Sequence, residues 1–122
     1  MRFSLSPRTP RGGGALTHSR TKDSQLICDK WVDSQGRGFV VVSGLCSWPK
    51  AMGGTANEHV PDGYRPSDMV AISCCAWSKQ YSRVENYIVG ILNPNGVIKT
   101  NTGLGGIDRG TAYVSATYPI GI

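Results

Sequence analysis

No window of a dozen residues in this chain places apolar side chains at helical spacing, and that feature alone removes helices from its options. The chain offers instead short apolar runs, each closed by Gly, Pro, Asn or Ser. Its sixteen glycines and seven prolines suit turns between strands rather than helix interiors. The chain is therefore expected to be all-β.

The sharpest punctuation is Pro61-Asp62-Gly63-Tyr64-Arg65-Pro66-Ser67. Neither proline can donate a backbone hydrogen bond and Gly63 supplies permissive dihedrals, so these residues form a rigid corner rather than part of a ladder. The corner launches a strand over 69–77. Val70, Ile72, Cys74 and Ala76 share one face of that strand, and Met69, Ala71, Ser73, Cys75 and Trp77 share the other. Further strands are predicted over 26–32, 38–48, 84–92, 97–101 and 111–118, with 49–60 as a loop. Asn93-Pro94-Asn95-Gly96 reads as a hairpin turn, Pro94 presetting its geometry and Gly96 taking the left-handed position.

Several of these strands are apolar on both faces, whereas in a sandwich this small one face of each should meet water. A homo-oligomer packed around an axis covers the second face. At 122 residues the chain makes one domain with an appendage, a head over 26–122 preceded by an extended basic arm over 1–25. Arg2, Arg8, Arg11, Arg20 and Lys22 stand in that arm against Asp23 alone, so +4 of the net charge of +5 belongs to it. The arm is expected to anchor the protein to an assembly partner. Charge by itself fits nucleic acid, an anionic membrane or an acidic protein surface equally well.

The four cysteines, Cys28, Cys46, Cys74 and Cys75, show no metal-ligand spacing and are expected as free, mostly buried thiols. Cys74 and Cys75 point to opposite faces of one strand and cannot readily bridge to each other. The N-terminus carries no signal-peptide core, and no run approaches the roughly 20 apolar residues of a membrane span. His59 and Asp62 lie close in sequence without a nucleophile motif, and Gly103-Leu104-Gly105-Gly106 does not open a helix after a strand. No enzymatic activity, metal or cofactor is expected.

A binding surface is expected instead. If consecutive predicted strands alternate in direction, the turn 33–37 and the loops 78–83 and 103–110 share one end. The loops 49–60 and 93–96 then share the other. The first group carries Trp77, Lys79, Tyr81, Arg83, Asp108 and Arg109. A ring beside cationic and hydrogen-bonding groups is the mix that holds a sugar or a polar polymer.

The order of three motifs resembles a known module. The Pro-Asp-Gly-Tyr-Arg-Pro-Ser corner before an apolar strand, the hairpin Ile-Leu-Asn-Pro-Asn-Gly-Val-Ile-Lys and the final Ala-Tyr-Val-Ser-Ala-Thr-Tyr-Pro-Ile are similar, across residues 38–120, to the C-terminal β-sandwich head of bacteriophage tail-fibre, baseplate and related virion fibre proteins. The resemblance implies an antiparallel, jelly-roll-like sandwich and a homotrimer. It also implies attachment to other virion proteins through the arm and engagement of host-surface saccharide at the outer end. It places the protein in a virion assembled in the host cytoplasm, without membrane insertion and with nucleic acid the less favoured partner. The chain has no long shaft, so a capsid or tail decoration protein without receptor binding is the alternative.

Overall fold

The computed structural model describes residues 15–49, 54–78, 81–100 and 110–121, with the side chains of 77–78 and 85–88 excepted. Eight strands account for most of these residues. They are β1 (Thr17–Asp23), β2 (Leu26–Val32), β3 (Gly38–Ser47), β4 (Gly54–His59), β5 (Val70–Ser78), β6 (Arg83–Leu92), β7 (Val97–Thr100) and β8 (Thr111–Ile120). Every pairing is antiparallel, in the order β1-β2-β3-β8-β5-β6-β7-β4. The expectation of an all-β antiparallel fold holds. One continuous sheet curls into a nearly closed barrel.

Period-two alternation sets the inner face. Leu26 and Cys28 of β2, Val40, Val42 and Cys46 of β3, and Ile72, Cys74 and Ala76 of β5 are buried together with Leu92, Ile98, Ala112, Val114, Ala116 and Tyr118. Each fully buried large aliphatic side chain here is worth roughly 1.5–3 kcal/mol relative to exposure. All four cysteines are free, with Cys28, Cys46 and Cys74 in this core and Cys75 half-buried on the outer side.

Two sequence expectations need correction. Residues 17–23, expected within an extended arm, are β1, paired with β2 along their whole length from Thr17↔Val32 to Asp23↔Leu26. Their polar sequence hid them because β1 is an edge strand whose residues are all at least partly exposed, so no apolar alternation marks it. Residues 54–59, expected as loop, are β4, whose Ala56 and Glu58 turn inward while Thr55, Asn57 and His59 stay exposed. A small residue and a carboxylate at the buried positions left no hydrophobic period to read.

The missed β4 reverses the direction of everything after it. The turn 33–37, the corner 60–69 and the turn 93–96 therefore lie at one end of the barrel. The strand ends bracketing 50–53, 79–82 and 101–109 lie at the other. The expected grouping of 33–37 with 78–83 and 103–110 is thus broken.

The corner seals its end. Tyr64 N–H donates to Pro61 O at 3.2 Å, and Tyr118 Oη–H donates to Tyr64 O at 2.5 Å. Tyr64 Oη–H reaches Ser19 Oγ of β1 at 2.9 Å, and Lys30 of β2 donates to Gly63 O at 2.8 Å while its ammonium sits 4.5 Å from the Tyr64 ring centre. On the other side, Val60 N–H donates to Gly96 O and Arg65 Nε–H to Val60 O, both at 2.9 Å. Residues 60–65 thereby tie together β1, β2, β8 and the 93–96 turn.

A side chain joins the free edges β1 and β4. Asp23 Oδ2 of β1 accepts the backbone N–H of His59 at 2.7 Å. Glu58 accepts from Ser47 N–H at 2.7 Å and from its hydroxyl at 3.0 Å, fastening β4 to the end of β3.

Candidate functional site

The loop cluster expected from the sequence lies only in part among the described residues. Tyr81 and Arg83 stand at the β5–β6 connection, both exposed, with the Arg83 guanidinium 4.8 Å from the Tyr81 ring centre. Trp77 occupies β5 opposite Val84, after a register shift, and its side chain is outside the description. Lys79, Asp108 and Arg109 fall outside the described residues, as do Arg2, Arg8 and Arg11. Strand direction brings the flanks of the 79–82 and 101–109 connections to one end, as the cluster requires.

His59 ends β4 exposed and Asp62 is exposed in the corner, with no catalytic contact between them. Among the described residues no group of His, Cys, Asp or Glu is placed to hold a metal ion, and no helix is long and apolar enough to cross a membrane.

Two surfaces invite a partner. The first is the outer side of β3, β8, β5 and β6. β3 presents Phe39, Val41, Ser43 and Leu45, β8 presents Tyr113, Ser115, Thr117 and Pro119, β5 presents Ala71, Ser73 and Cys75, and β6 presents Val89 and Ile91. Leu45, Tyr113 and Cys75 fall in one row across three strands, with Ser43, Ser115, Ser73 and Val89 in the next. Val89 is 74% exposed and Tyr113 53%. None of these thirteen side chains is charged. A sheet face that meets only water ordinarily carries Lys and Glu, and depletion of charge is what marks the centre of an interface.

The second surface lies beside it, on the outer side of β1, β2 and β3. His18, Trp31 and Phe39 are cross-strand neighbours. Their rings pack in a row, His18 to Trp31 at 4.7 Å and Trp31 to Phe39 at 5.1 Å between centres. In the adjacent row Asp29 of β2, nearly buried, takes Arg20 of β1 as a fork, from Nε at 2.7 Å and from Nη2 at 3.2 Å, and receives His18 Nε2 at 2.7 Å. The Arg20 bonds hold the Asp29 carboxyl below its ordinary range, and the same bonds push the Arg20 guanidinium still further up. Lys22 follows Arg20 on the same outward side of β1.

Sequence reasoning missed this second surface because it assigned Arg20 and Lys22 to an arm. The available signal was the alternation His18, Arg20, Lys22 placed a short turn away from Asp29 and Trp31. Comparison with protein-family models found none that matches the chain, and comparison with curated proteins found no significant match.

Proposed function

We propose that this protein is a bacteriophage virion component, a short trimeric fibre tip with jelly-roll-like heads that mediates adsorption to host-surface saccharide. The observation that carries the reading is the absence of charge among the thirteen described side chains on the outer side of β3, β8, β5 and β6. A face without charged side chains can meet a second copy of itself without burying an unpaired charge, and the described residues of this face satisfy that condition. The motif order across 38–120 supports the virion assignment. The saccharide assignment is supported by Tyr81 and Arg83, an exposed ring with a cation over it, at the end away from the corner.

Light scattering during size-exclusion chromatography tests the assembly, with about three times the 13.1 kDa chain mass expected. Tyr113→Arg places a cation at the centre of the face and is expected to yield monomers that keep their β-sheet spectrum. A monomeric wild type, or a Tyr113→Arg protein that remains trimeric, refutes the interface. A trimer that binds no glycan on a broad array points to a decorating role instead.

A further inference from the structure

We infer that the outer side of β1 and β2, at Arg20, Lys22, His18 and Trp31, is a recognition site for an acidic saccharide, one whose ring bears a carboxylate. The inference deepens the adsorption reading and rests on it for the origin of the ligand, but it assigns a site other than the loops.

The arrangement is rich in donors and nearly devoid of accessible acceptors. Asp29, 7% exposed, spends its oxygens on Arg20 and His18 and offers little to a ligand. What it does is hold the guanidinium plane still. With Nε and Nη2 engaged, Arg20 Nη1 takes no part in the pair, while the side chain remains 54% exposed. A fork fixed in advance loses less freedom when it binds a second oxyanion. Lys22, exposed and one alternation further along β1, lies about 7 Å away by strand geometry and supplies a charge that Asp29 does not neutralise. The Trp31 indole N–H is neither buried nor bonded among the described residues, which adds a neutral donor beside the cations.

The aromatic packing selects among anionic polymers. His18 and Phe39 pack against Trp31 from the strands on either side, at 4.7 and 5.1 Å between ring centres, so the indole presents chiefly its edge rather than a face on which a base could stack. Single-stranded nucleic acid draws much of its affinity from such stacking, and a duplex needs several surplus cations where this site has one. Ring edges carry the positive end of the aromatic quadrupole, and they suit the hydroxyl and carboxylate oxygens of a sugar acid.

The test is calorimetric titration of the full chain with tetragalacturonate, maltotetraose and an oligothymidylate. Tetragalacturonate is expected to bind at least about tenfold more tightly than maltotetraose, since only the former meets charge-assisted hydrogen bonds. Arg20→Lys keeps the charge and loses the fork, and is expected to weaken the uronate about tenfold. Lys22 makes no side-chain hydrogen bond or ion pair among the described residues, so Lys22→Gln spares the fold; it is expected to weaken binding about threefold, which keeps the proposal testable if Arg20→Lys unfolds β1. Absence of uronate binding, equal affinity for the neutral sugar, tighter binding of the oligothymidylate, or indifference to Lys22→Gln overturns the site. Neutral-glycan binding that survives both substitutions overturns this site and leaves the adsorption reading intact.

Discussion

Gly36→Ala and Gly96→Ala are a matched pair that isolates what the corner contributes. Both glycines close hairpin turns with left-handed backbones, φ 79° and 86°. Alanine pays about 1 kcal/mol for that conformation at either position. Their surroundings differ. A Cβ on Gly36 meets nothing within 4 Å, whereas one on Gly96 lies 2.3 Å from Val60 O and 2.7 Å from Arg65 Nε. A backbone carbonyl cannot rotate away like the tip of a long side chain, so Val60 must retreat by several tenths of an ångström. That motion breaks or stretches Val60 N–H to Gly96 O and Arg65 Nε–H to Val60 O, each worth about 1 kcal/mol. The expected cost is therefore about 1 kcal/mol for Gly36→Ala and about 3 kcal/mol for Gly96→Ala. For a domain of this size that is a Tm loss of about 4 °C against about 12 °C. Differential scanning calorimetry at one protein concentration measures both, the fixed concentration being needed because the proposed assembly would also shift Tm. Equal losses refute the seating of the corner on the 93–96 turn.

Two further outcomes follow from the titrating groups. Hydrogen bonds from Arg20 hold Asp29 low, and the Arg37 backbone N–H does the same for Asp33, so both contribute stability above the ordinary carboxylate value of about 4 that is lost as pH falls through their folded values. Urea midpoints between neutral and acid pH should fall less steeply in Asp29→Asn, and an unchanged acid slope refutes the assignment. Burial pushes the Cys28 thiol up to about 12 and Cys74 to about 11, and Cys46 moves in the same direction. Their stabilisation is complete below the ordinary thiol value near 9 and is lost as pH rises from there through the folded values. At pH 8 Ellman's reagent is accordingly expected to find only Cys75, and the proposed trimer predicts slow reaction in the wild type and fast reaction in Tyr113→Arg. A second rapid thiol in the folded protein contradicts the core described above.

The strands that were legible are those whose sequence alternates around buried aliphatics. Residues 26–32 read as a strand at their true limits because Leu26 and Cys28 are core, and 111–118 fell two residues short of β8. β1 and β4 escaped for the opposite reason. An edge strand with Thr, Ser and Arg, and another whose inner residues are Ala56 and Glu58, carry no hydrophobic period, and they become strands only because a partner supplies the ladder. The site suffered with them. Arg20 and Lys22 were visible as charge, but only the β1–β2 register brings Arg20 beside Asp29 and His18 beside Trp31. The corner was legible as rigid from Pro61, Gly63 and Pro66. That Tyr118, far along the chain, donates to Tyr64 O was not legible, since nothing local encodes a partner 54 residues away.

The placement of β8 between β3 and β5 bears on how the chain is made. On a ribosome β8 is the last of the eight strands to emerge, yet among the described residues it is the strand whose backbone ladders join the β1-β2-β3 group to the β5-β6-β7-β4 group. Until it arrives, the nascent chain holds two groups of strands with a shared, open gap between them. Closing that gap pairs residues such as Gly38 and Ile120 across most of the sequence, which is a slow step for a β topology. Translation speed through the β8 codons, and any chaperone that shields β3 and β5 meanwhile, should govern the yield of native protein more strongly than changes within either group.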